Sequence, residues 1–167
     1  MLFGDGAGAL VVRSEPREAS GLSLRIDDVL IETDGSFAED LCVRAPGSAN
    51  GPTWSGDARA RYGSMNGRAV ILHAVRKLAE AAGKILTRNG MTVADVDLVV
   101  PHQANGNLLR TLGARLGVDD ERVVVNLDRY GNTGSASVFV ALDDAVRDER
   151  LCDGSRLLVV AFGAGFT

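Results

Sequence analysis

The sequence predicts a layered α/β domain, and three observations carry that prediction. Short apolar runs rich in valine alternate with longer segments in which apolar residues recur at helical spacing. Alternation of helices with buried, β-branched strands is typical of layered α/β folds. Several apolar runs also end in polar or glycine-rich loops, as strands do at the ligand-binding edge of such folds. The 167 residues are predicted to form a single domain, 1–167.

Two apolar stretches near the start of the chain predict strands. "LFGDGAGALVV" places Leu10, Val11 and Val12 in succession, as in a strand covered on both faces. "LSLRIDDVLIE" alternates apolar and polar residues, as in a half-buried strand. From Thr33 to Gly63 the composition shifts to glycine, proline, serine, asparagine and aspartate, which predicts a long irregular segment.

The rest of the chain predicts three helices and three further strands. A long helix is predicted over residues 66–88, and the strand "VDLVV" then ends at Pro101. A second helix is predicted from Asn105 to Leu116, and "RVVVN" predicts the next strand. A third helix is predicted to begin near Gly134, and "RLLVVAFGAG" predicts the last strand.

Composition argues against several classes of function. The net charge of -4 is spread over both halves without a dense lysine or arginine cluster, which disfavours nucleic acid or an anionic membrane as a partner. No apolar run approaches the roughly 20 residues of a membrane span and no signal peptide opens the chain, so a cytoplasmic location is expected. Cys42 and Cys152 have no metal-ligand spacing. They are predicted to be free thiols, and no metal site is predicted.

The glycine-rich stretch "GDGAGA" at residues 4–9 is superficially similar to a dinucleotide-binding loop. Such a loop needs a strand before the glycines and a helix after them, whereas here a predicted strand follows. We interpret these glycines as positions where another part of the chain packs closely or where the backbone bends.

Polar groups follow the ends of several predicted strands. His102 comes directly after Pro101, and Asn105 begins the next helix, where its amide would cap the helix or face a ligand. A structural histidine at 102 and a plain turn residue at Asn132 remain alternatives. "FGAG" at residues 162–165 offers backbone N–H groups. Together these groups favour stabilisation of a developing negative oxygen.

The chain offers no obvious nucleophile to accompany these groups. Neither cysteine lies at a strand-to-helix elbow, and Ser135 and Ser137 are interpreted as residues that open a helix.

An ordered set of segments resembles β-ketoacyl-acyl-carrier-protein synthase III, of the thiolase superfamily. The segments are "FGDGAGA", "MNGRAV", "VPHQAN", "LDRYGNTGSAS", "ALDDAVRD" and "AFGAGFT". The resemblance runs through the whole chain but covers only the carboxyl-terminal half of such an enzyme, with the amino-terminal half and the final strand absent. It implies an α/β, thiolase-like half, in which a layered mixed β-sheet has helices on both faces.

The resemblance implies that His102 and Asn132 are catalytic. In the family, this pair donates hydrogen bonds to a thioester oxygen while malonyl-carrier protein is decarboxylated and the resulting enolate condenses with an acyl thioester. The resemblance also implies that Asn105 and Gly67 bind the substrate along the pantetheine arm, and that the backbone amide of Ala164 holds the acyl oxygen. The nucleophilic cysteine belongs to the amino-terminal half, so the isolated chain is expected to be inactive.

The partners implied by the resemblance are the amino-terminal half of the same enzyme, acyl-carrier protein and acyl-CoA, with a homodimer when the enzyme is complete. CoA or phosphopantetheine thioesters are expected as substrates, and no bound cofactor is expected. Asn107 stands where the family often has a docking arginine, with Arg110 nearly one turn further along. Near Ile71 an aromatic residue of the family's tunnel is replaced, and the adjacent His73 is expected to be structural.

Two other functions stay open on the sequence. One is a synthase III-like acyltransferase that passes an acyl group to an alcohol or an amine. The other is a non-catalytic half that binds a partner through its exposed interface. The sequence also leaves open whether the product enters fatty acids or a polyketide-like metabolite.

Overall fold

The contacts between Cα atoms group the chain into two compact units. The computed structural model describes residues 3–15, 23–45, 47–48 and 56–167. The first unit comprises the described residues of Met1–Leu30 and Leu78–Ala161, and the second comprises those of Ile31–Lys77 and Phe162–Thr167.

The second unit contains a short antiparallel strand pair. Strand β1 (Leu41–Val43) pairs with β2 (Gly63–Met65), and 3-10 helices cover Gly35–Asp40 and Ala58–Arg61. The prediction of an irregular segment from Thr33 to Gly63 was therefore wrong for these elements. Each strand is only three residues long, and its partner lies about twenty residues away in sequence, so local composition carries no signal of the pairing.

An aromatic cluster packs within the second unit. The His73 ring lies 4.0 Å from the Phe37 ring, centroid to centroid, and Phe37 stacks on Phe166 at 5.1 Å. Phe162 meets Phe166 edge to face at 4.9 Å. This packing agrees with the structural role expected for His73.

The first unit is built around a parallel strand pair. Strand β3 (Leu98–Pro101) is buried along its whole length and pairs with β4 (Leu157–Val160), as the apolar runs predict. Pro101 has no N–H to donate, so it stands at the end of the strand. The next N–H, that of His102, donates to the Val160 carbonyl at 2.8 Å. This bond fixes the backbone of His102 at the strand end.

The predicted strand "RVVVN" is wrong as an element. The segment meets β3 only through a single parallel bridge between Val99 and Val123, with the Val124 N–H donating to the Val99 carbonyl at 2.9 Å. A 3-10 helix at Asp120–Arg122 ends at the first residue of the segment. A short helix, Leu127–Tyr130, follows the segment directly. The apolar character of the segment reflects burial of Val123 and Val124 rather than a continuous ladder.

The two strands predicted near the start of the chain are also wrong over their described residues. Leu10, Val11 and Val12 are exposed, as are Leu24, Ile26, Val29 and Ile31 of the second stretch. Apolar alternation predicts a strand only where a neighbouring strand pairs with it, and no such neighbour lies beside residues 4–15 or 23–32 in the described part of the chain. Leu2 and Leu22 lie outside the described residues.

Four α-helices accompany these strands in the described part of the chain. They are α1 (Gly67–Arg88), α2 (Gly106–Leu116), α3 (Leu127–Tyr130) and α4 (Ser137–Arg147). The apolar periodicity predicts α1, α2 and α4, whereas α3 is too short to produce a periodic pattern. None of the described helices is both long enough and apolar enough to cross a bilayer.

The core of the first unit forms where α4 packs on β3. Leu98 and Val100 of β3 meet Ala141 and Ala145 of α4, and Val124 completes the buried cluster. The two alanines bring the helix backbone close to the strand, because they carry only a Cβ. The start of α4 is thereby held beside the end of β3.

The alternate glycines of "GDGAGA" pack against one loop and the start of α4. A Cβ on Gly4 would lie 2.0 Å from the Tyr130 carbonyl oxygen, and one on Gly8 would lie 2.3 Å from the Phe139 Cβ. A Cβ on Gly6 would meet the Thr133 side chain at 2.9 Å. The interpretation that these glycines allow close packing is confirmed.

Candidate active site

His102 lies at the carboxyl end of β3, with one ring nitrogen occupied. Its Nδ1 is 2.6 Å from the Ser137 Oγ, at the first residue of α4. Its Nε2 has no hydrogen-bond partner among the described residues. Every buried side-chain nitrogen of these residues does have a hydrogen-bond partner. Nε2 therefore reaches the surface. Burial of the rest of the ring lowers the pKa of His102, which favours the neutral imidazole.

Gln103, directly after the histidine, is completely buried and fully hydrogen-bonded. Its Nε2 donates to the carbonyls of Pro101 at 2.9 Å and Val124 at 3.0 Å. Its Oε1 accepts from the Asn126 N–H at 3.1 Å. This one side chain therefore ties the end of β3 to the segment that leads toward Asn132.

Asn132 is 7% exposed, and three contacts fix its orientation. Its carbonyl accepts from the Gly4 N–H at 2.9 Å, and its Oδ1 accepts from the Gly134 N–H at 2.9 Å. Because Oδ1 faces a backbone donor, the other amide atom is the nitrogen. That Nδ2 makes one long bond, 3.5 Å, to the Ala104 carbonyl. The second Nδ2 hydrogen has no partner among the described residues.

Two glycines with positive φ enclose Asn132 and Thr133. Gly131 has φ 67° and ψ −164°, a backbone region that is essentially restricted to glycine. Gly134 has φ 61°. In the motif "GNTG", Asn132 and Thr133 therefore lie between two glycines with positive φ. This turn directs the Asn132 side chain toward the Ala104 carbonyl.

The buried carboxylate of Asp144 holds the segment that leads to Asn132. Asp144 of α4 accepts from the Asn126 Nδ2 at 2.6 Å and from the Arg129 guanidinium at 2.7 Å. The Tyr130 hydroxyl lies 3.4 Å from its other oxygen. Asp144 is 6% exposed, so these donors supply the partners that a buried carboxylate requires.

The remaining predicted site residues lie in different places. Asn105 caps α2, because its Oδ1 accepts from the Leu108 N–H at 3.0 Å; its Nδ2 has no partner among the described residues. Gly67 is the first residue of α1, and Ala164 lies in a turn after β4, both in the second unit. The Ala164 N–H makes no hydrogen bond within the described part of the chain. In the first unit, the Asn132 side chain contacts the carbonyl of Ala104, which lies between His102 and Asn105 in the sequence.

Sequence reasoning missed three residues that hold this site. The sequence indicates only a helix-opening role for Ser137 and no role for Gln103 or Asp144. Ser137 and Asp144 offer a weak signal, since each lies beside apolar residues of a predicted helix, whereas Gln103 lies in a polar segment and offers none. Both cysteines are free, as predicted, and the described residues contain no group of three metal-binding side chains.

Comparison with known proteins finds similarity to synthase III proteins. Residues 86–167 match the family model described as 3-oxoacyl-[acyl-carrier-protein (ACP)] synthase III C terminal. The whole chain is 43% identical over 169 residues to half (50%) of the β-ketoacyl-[acyl-carrier-protein] synthase III of Nitratidesulfovibrio vulgaris strain DP4. The crystal structure of the Thermus thermophilus synthase III is similar over 81% of this chain and 41% of that one, with a TM-score of 0.71 and 39% identity.

The chain is the carboxyl-terminal half of a synthase III-like protein. It spans about half the length of the curated relatives that it matches, and corresponds to their carboxyl-terminal half. The priming β-ketosynthase of the R1128 polyketide pathway is also similar, with 34% identity and a TM-score of 0.68 over 81% of this chain and 40% of that one. The thiolase-like α/β fold class predicted from the sequence is confirmed.

The loop that carries Asn132 depends on the backbone of Gly131. Gly131→Ala is expected to lower the free energy of unfolding by about 1–3 kcal/mol, because a Cβ is strained at this φ and ψ. Gly83→Ala is the matched control: Gly83 lies inside α1 with open space around it, so alanine there should raise stability by about 0.5–1 kcal/mol. Chemical denaturation measures both, and equal effects of the two substitutions would contradict the strained turn.

The lowered pKa of His102 predicts loss of stability in acid. In the unfolded chain the imidazole takes up a proton near pH 6.5, whereas the folded protein keeps it neutral to lower pH. The unfolded state therefore binds more protons below about pH 6.5, and the free energy of unfolding falls there. Above about pH 7 this contribution is constant.

His102→Gln provides the comparison for this prediction. The difference in unfolding free energy between the two proteins should change between about pH 7 and pH 5, with the original chain losing more. Parallel curves over this range would show that burial does not shift the titration of His102.

Proposed function

We propose that this chain supplies the enolate-stabilising half of a decarboxylating Claisen condensation, the 3-oxoacyl-ACP synthase III reaction. One observation carries the proposal: hydrogen bonds hold the His102 Nδ1 and the Asn132 Oδ1, while the His102 Nε2 and one hydrogen of the Asn132 Nδ2 have no partner among the described residues. Donors that are fixed before the reaction stabilise a developing oxyanion without reorganisation.

In the proposed reaction, an acyl group first passes from CoA to the cysteine of the amino-terminal half, and the CoA thiol leaves. The bond between the malonyl carboxylate and its neighbouring carbon then breaks, CO2 departs, and the electron pair forms the enolate of the carrier-bound thioester. His102 and Asn132 donate to the enolate oxygen. The enolate carbon attacks the acyl carbonyl, the bond to the cysteine sulfur breaks, and 3-oxoacyl-carrier protein results.

Asn105 has a second role in this proposal. Its oxygen caps α2, while its Nδ2 stays free to contact the pantetheine arm. In the second unit, Gly67 is proposed to bind the substrate and the N–H of Ala164 to hold the acyl oxygen on the cysteine. CoA and phosphopantetheine thioesters are substrates here, and no bound cofactor takes part in any step.

The proposed partners are the amino-terminal half, acyl-CoA and acyl-carrier protein, in a homodimer of the complete enzyme. Arg110 is exposed on α2 beside Asn107, to which it donates a hydrogen bond at 3.0 Å. We assign carrier-protein docking to this exposed pair. The isolated chain would be inactive, because neither Cys42 nor Cys152 occupies a nucleophile position.

The proposal is tested in an assembled enzyme, which joins this chain to the amino-terminal half of the Nitratidesulfovibrio vulgaris relative. With acyl-CoA and malonyl-carrier protein it should release CO2 and form the 3-oxoacyl product in equal amounts. Acyl transfer to an alcohol or amine without CO2 would instead identify an acyltransferase. A folded assembly without turnover would leave a partner-binding role.

A further inference from the structure

The Ser137 hydroxyl has two partners, and together they define where its hydrogen lies. Its Oγ accepts from the Gln103 N–H at 3.1 Å and lies 2.6 Å from the His102 Nδ1. Ser137 is 1% exposed, and its Oγ has no third partner within the described residues. It makes no capping bond for α4, whose N-cap is Ala136.

Counting hydrogens distinguishes the two tautomers of His102. If Ser137 donates its hydroxyl hydrogen to Nδ1, every hydrogen in the group has an acceptor and the imidazole proton lies on Nε2. If Nδ1 carries the proton and donates to Oγ, the hydroxyl hydrogen is left buried without an acceptor, which is unfavourable. The contacts therefore favour the tautomer with a proton on Nε2.

We propose that Ser137 is a positioning residue that holds His102 in the Nε2–H tautomer and so turns its surface-facing nitrogen into a hydrogen-bond donor. The proposal rests on the proposed function, in which that donor meets the thioester oxygen. The opposite tautomer would present a lone pair to the enolate oxygen and repel it. The hydroxyl acts on the reaction only through His102.

The direct test is nitrogen NMR of the assembled enzyme labelled with 15N-histidine. Signals are assigned by their loss in His102→Gln and, for the other histidine of this chain, in His73→Gln. In the neutral ring we expect an unprotonated Nδ1 and a protonated Nε2 at His102. A proton on Nδ1 would overturn the proposal, and this measurement needs no Ser137 variant to fold.

Variants of Ser137 then connect the tautomer to the rate. Ser137→Ala should give a mixed tautomer and slow CO2 release by about 10- to 100-fold with KM little changed, as loss of an orienting partner does elsewhere. Ser137→Thr keeps the hydroxyl and should restore the Nε2–H signal and most of the rate. Ser135→Ala, at an exposed serine of the preceding turn, is the matched control.

The outcomes separate this proposal from the proposed function. An unchanged tautomer and rate in Ser137→Ala would overturn the positioning role while leaving the condensing activity in place. An Nε2–H signal that Ser137→Ala abolishes, in an assembled enzyme that releases no CO2, would support the role of Ser137 on the ring and count against the condensation.

Discussion

Alanine in place of His102 or of Asn132 is expected to slow the release of CO2 from a malonyl thioester by about 100-fold or more in the assembled enzyme. Each substitution removes one N–H donor from the developing enolate oxygen. The loss should fall mainly on kcat, because the charge develops only as the bond to the carboxylate breaks. The measurement is the initial rate of CO2 release at saturating malonyl thioester.

The double variant tests whether the two donors act on the same oxygen. Because both donors act on one oxygen, His102→Ala with Asn132→Ala should lose less than the product of the two single losses. Ser135→Ala should keep the original rate, since Ser135 is exposed and makes no hydrogen bond within the described residues. Losses below about threefold in both single variants would remove the two side chains from the proposed mechanism.

The second large effect is expected on stability, at Gln103. Gln103→Met is close in size and should lower the free energy of unfolding by about 3–5 kcal/mol. It leaves two buried carbonyls and one buried N–H without partners, at about 1–3 kcal/mol each before the structure relaxes. That is a large share of the stability of a typical domain. Urea denaturation followed by circular dichroism measures the change.

Asn107→Ala is the control for this measurement. Asn107 is exposed on α2, so its removal should change stability by less than about 0.5 kcal/mol. If Gln103→Met cost less than about 1 kcal/mol, the side chain would not be the tie between β3 and the 124–126 segment that its three bonds describe.

Three helices and two strands follow from the sequence because their signals are local. Helical spacing of apolar residues predicts α1, α2 and α4, and valine-rich runs predict β3 and β4. Asn105 follows the local rule for a helix cap, and the structure places it there. The strand predictions near the start of the chain fail, because strand formation depends on a neighbouring strand that no local pattern describes.

The residues of the candidate site also differ in how far the sequence predicts them. His102 stands out as a polar residue at the end of an apolar segment, whereas Asn132 lies in a glycine-rich loop and is singled out by the resemblance to synthase III. The residues that hold the site in place are not evident from the sequence. Ser137 lies 35 positions from the histidine that it contacts, and Asp144 lies 18 positions from Asn126. Such contacts arise only once α4 packs on β3, so they require the fold.

The most direct measurement is a crystal structure of the assembled enzyme with a stable malonyl thioester analogue in its site. We expect the His102 Nε2 and the Asn132 Nδ2 both to lie about 2.7–3.1 Å from the same thioester oxygen, as donors to a developing oxyanion do. An analogue bound in the site with either nitrogen more than about 4 Å from that oxygen would contradict the two-donor mechanism.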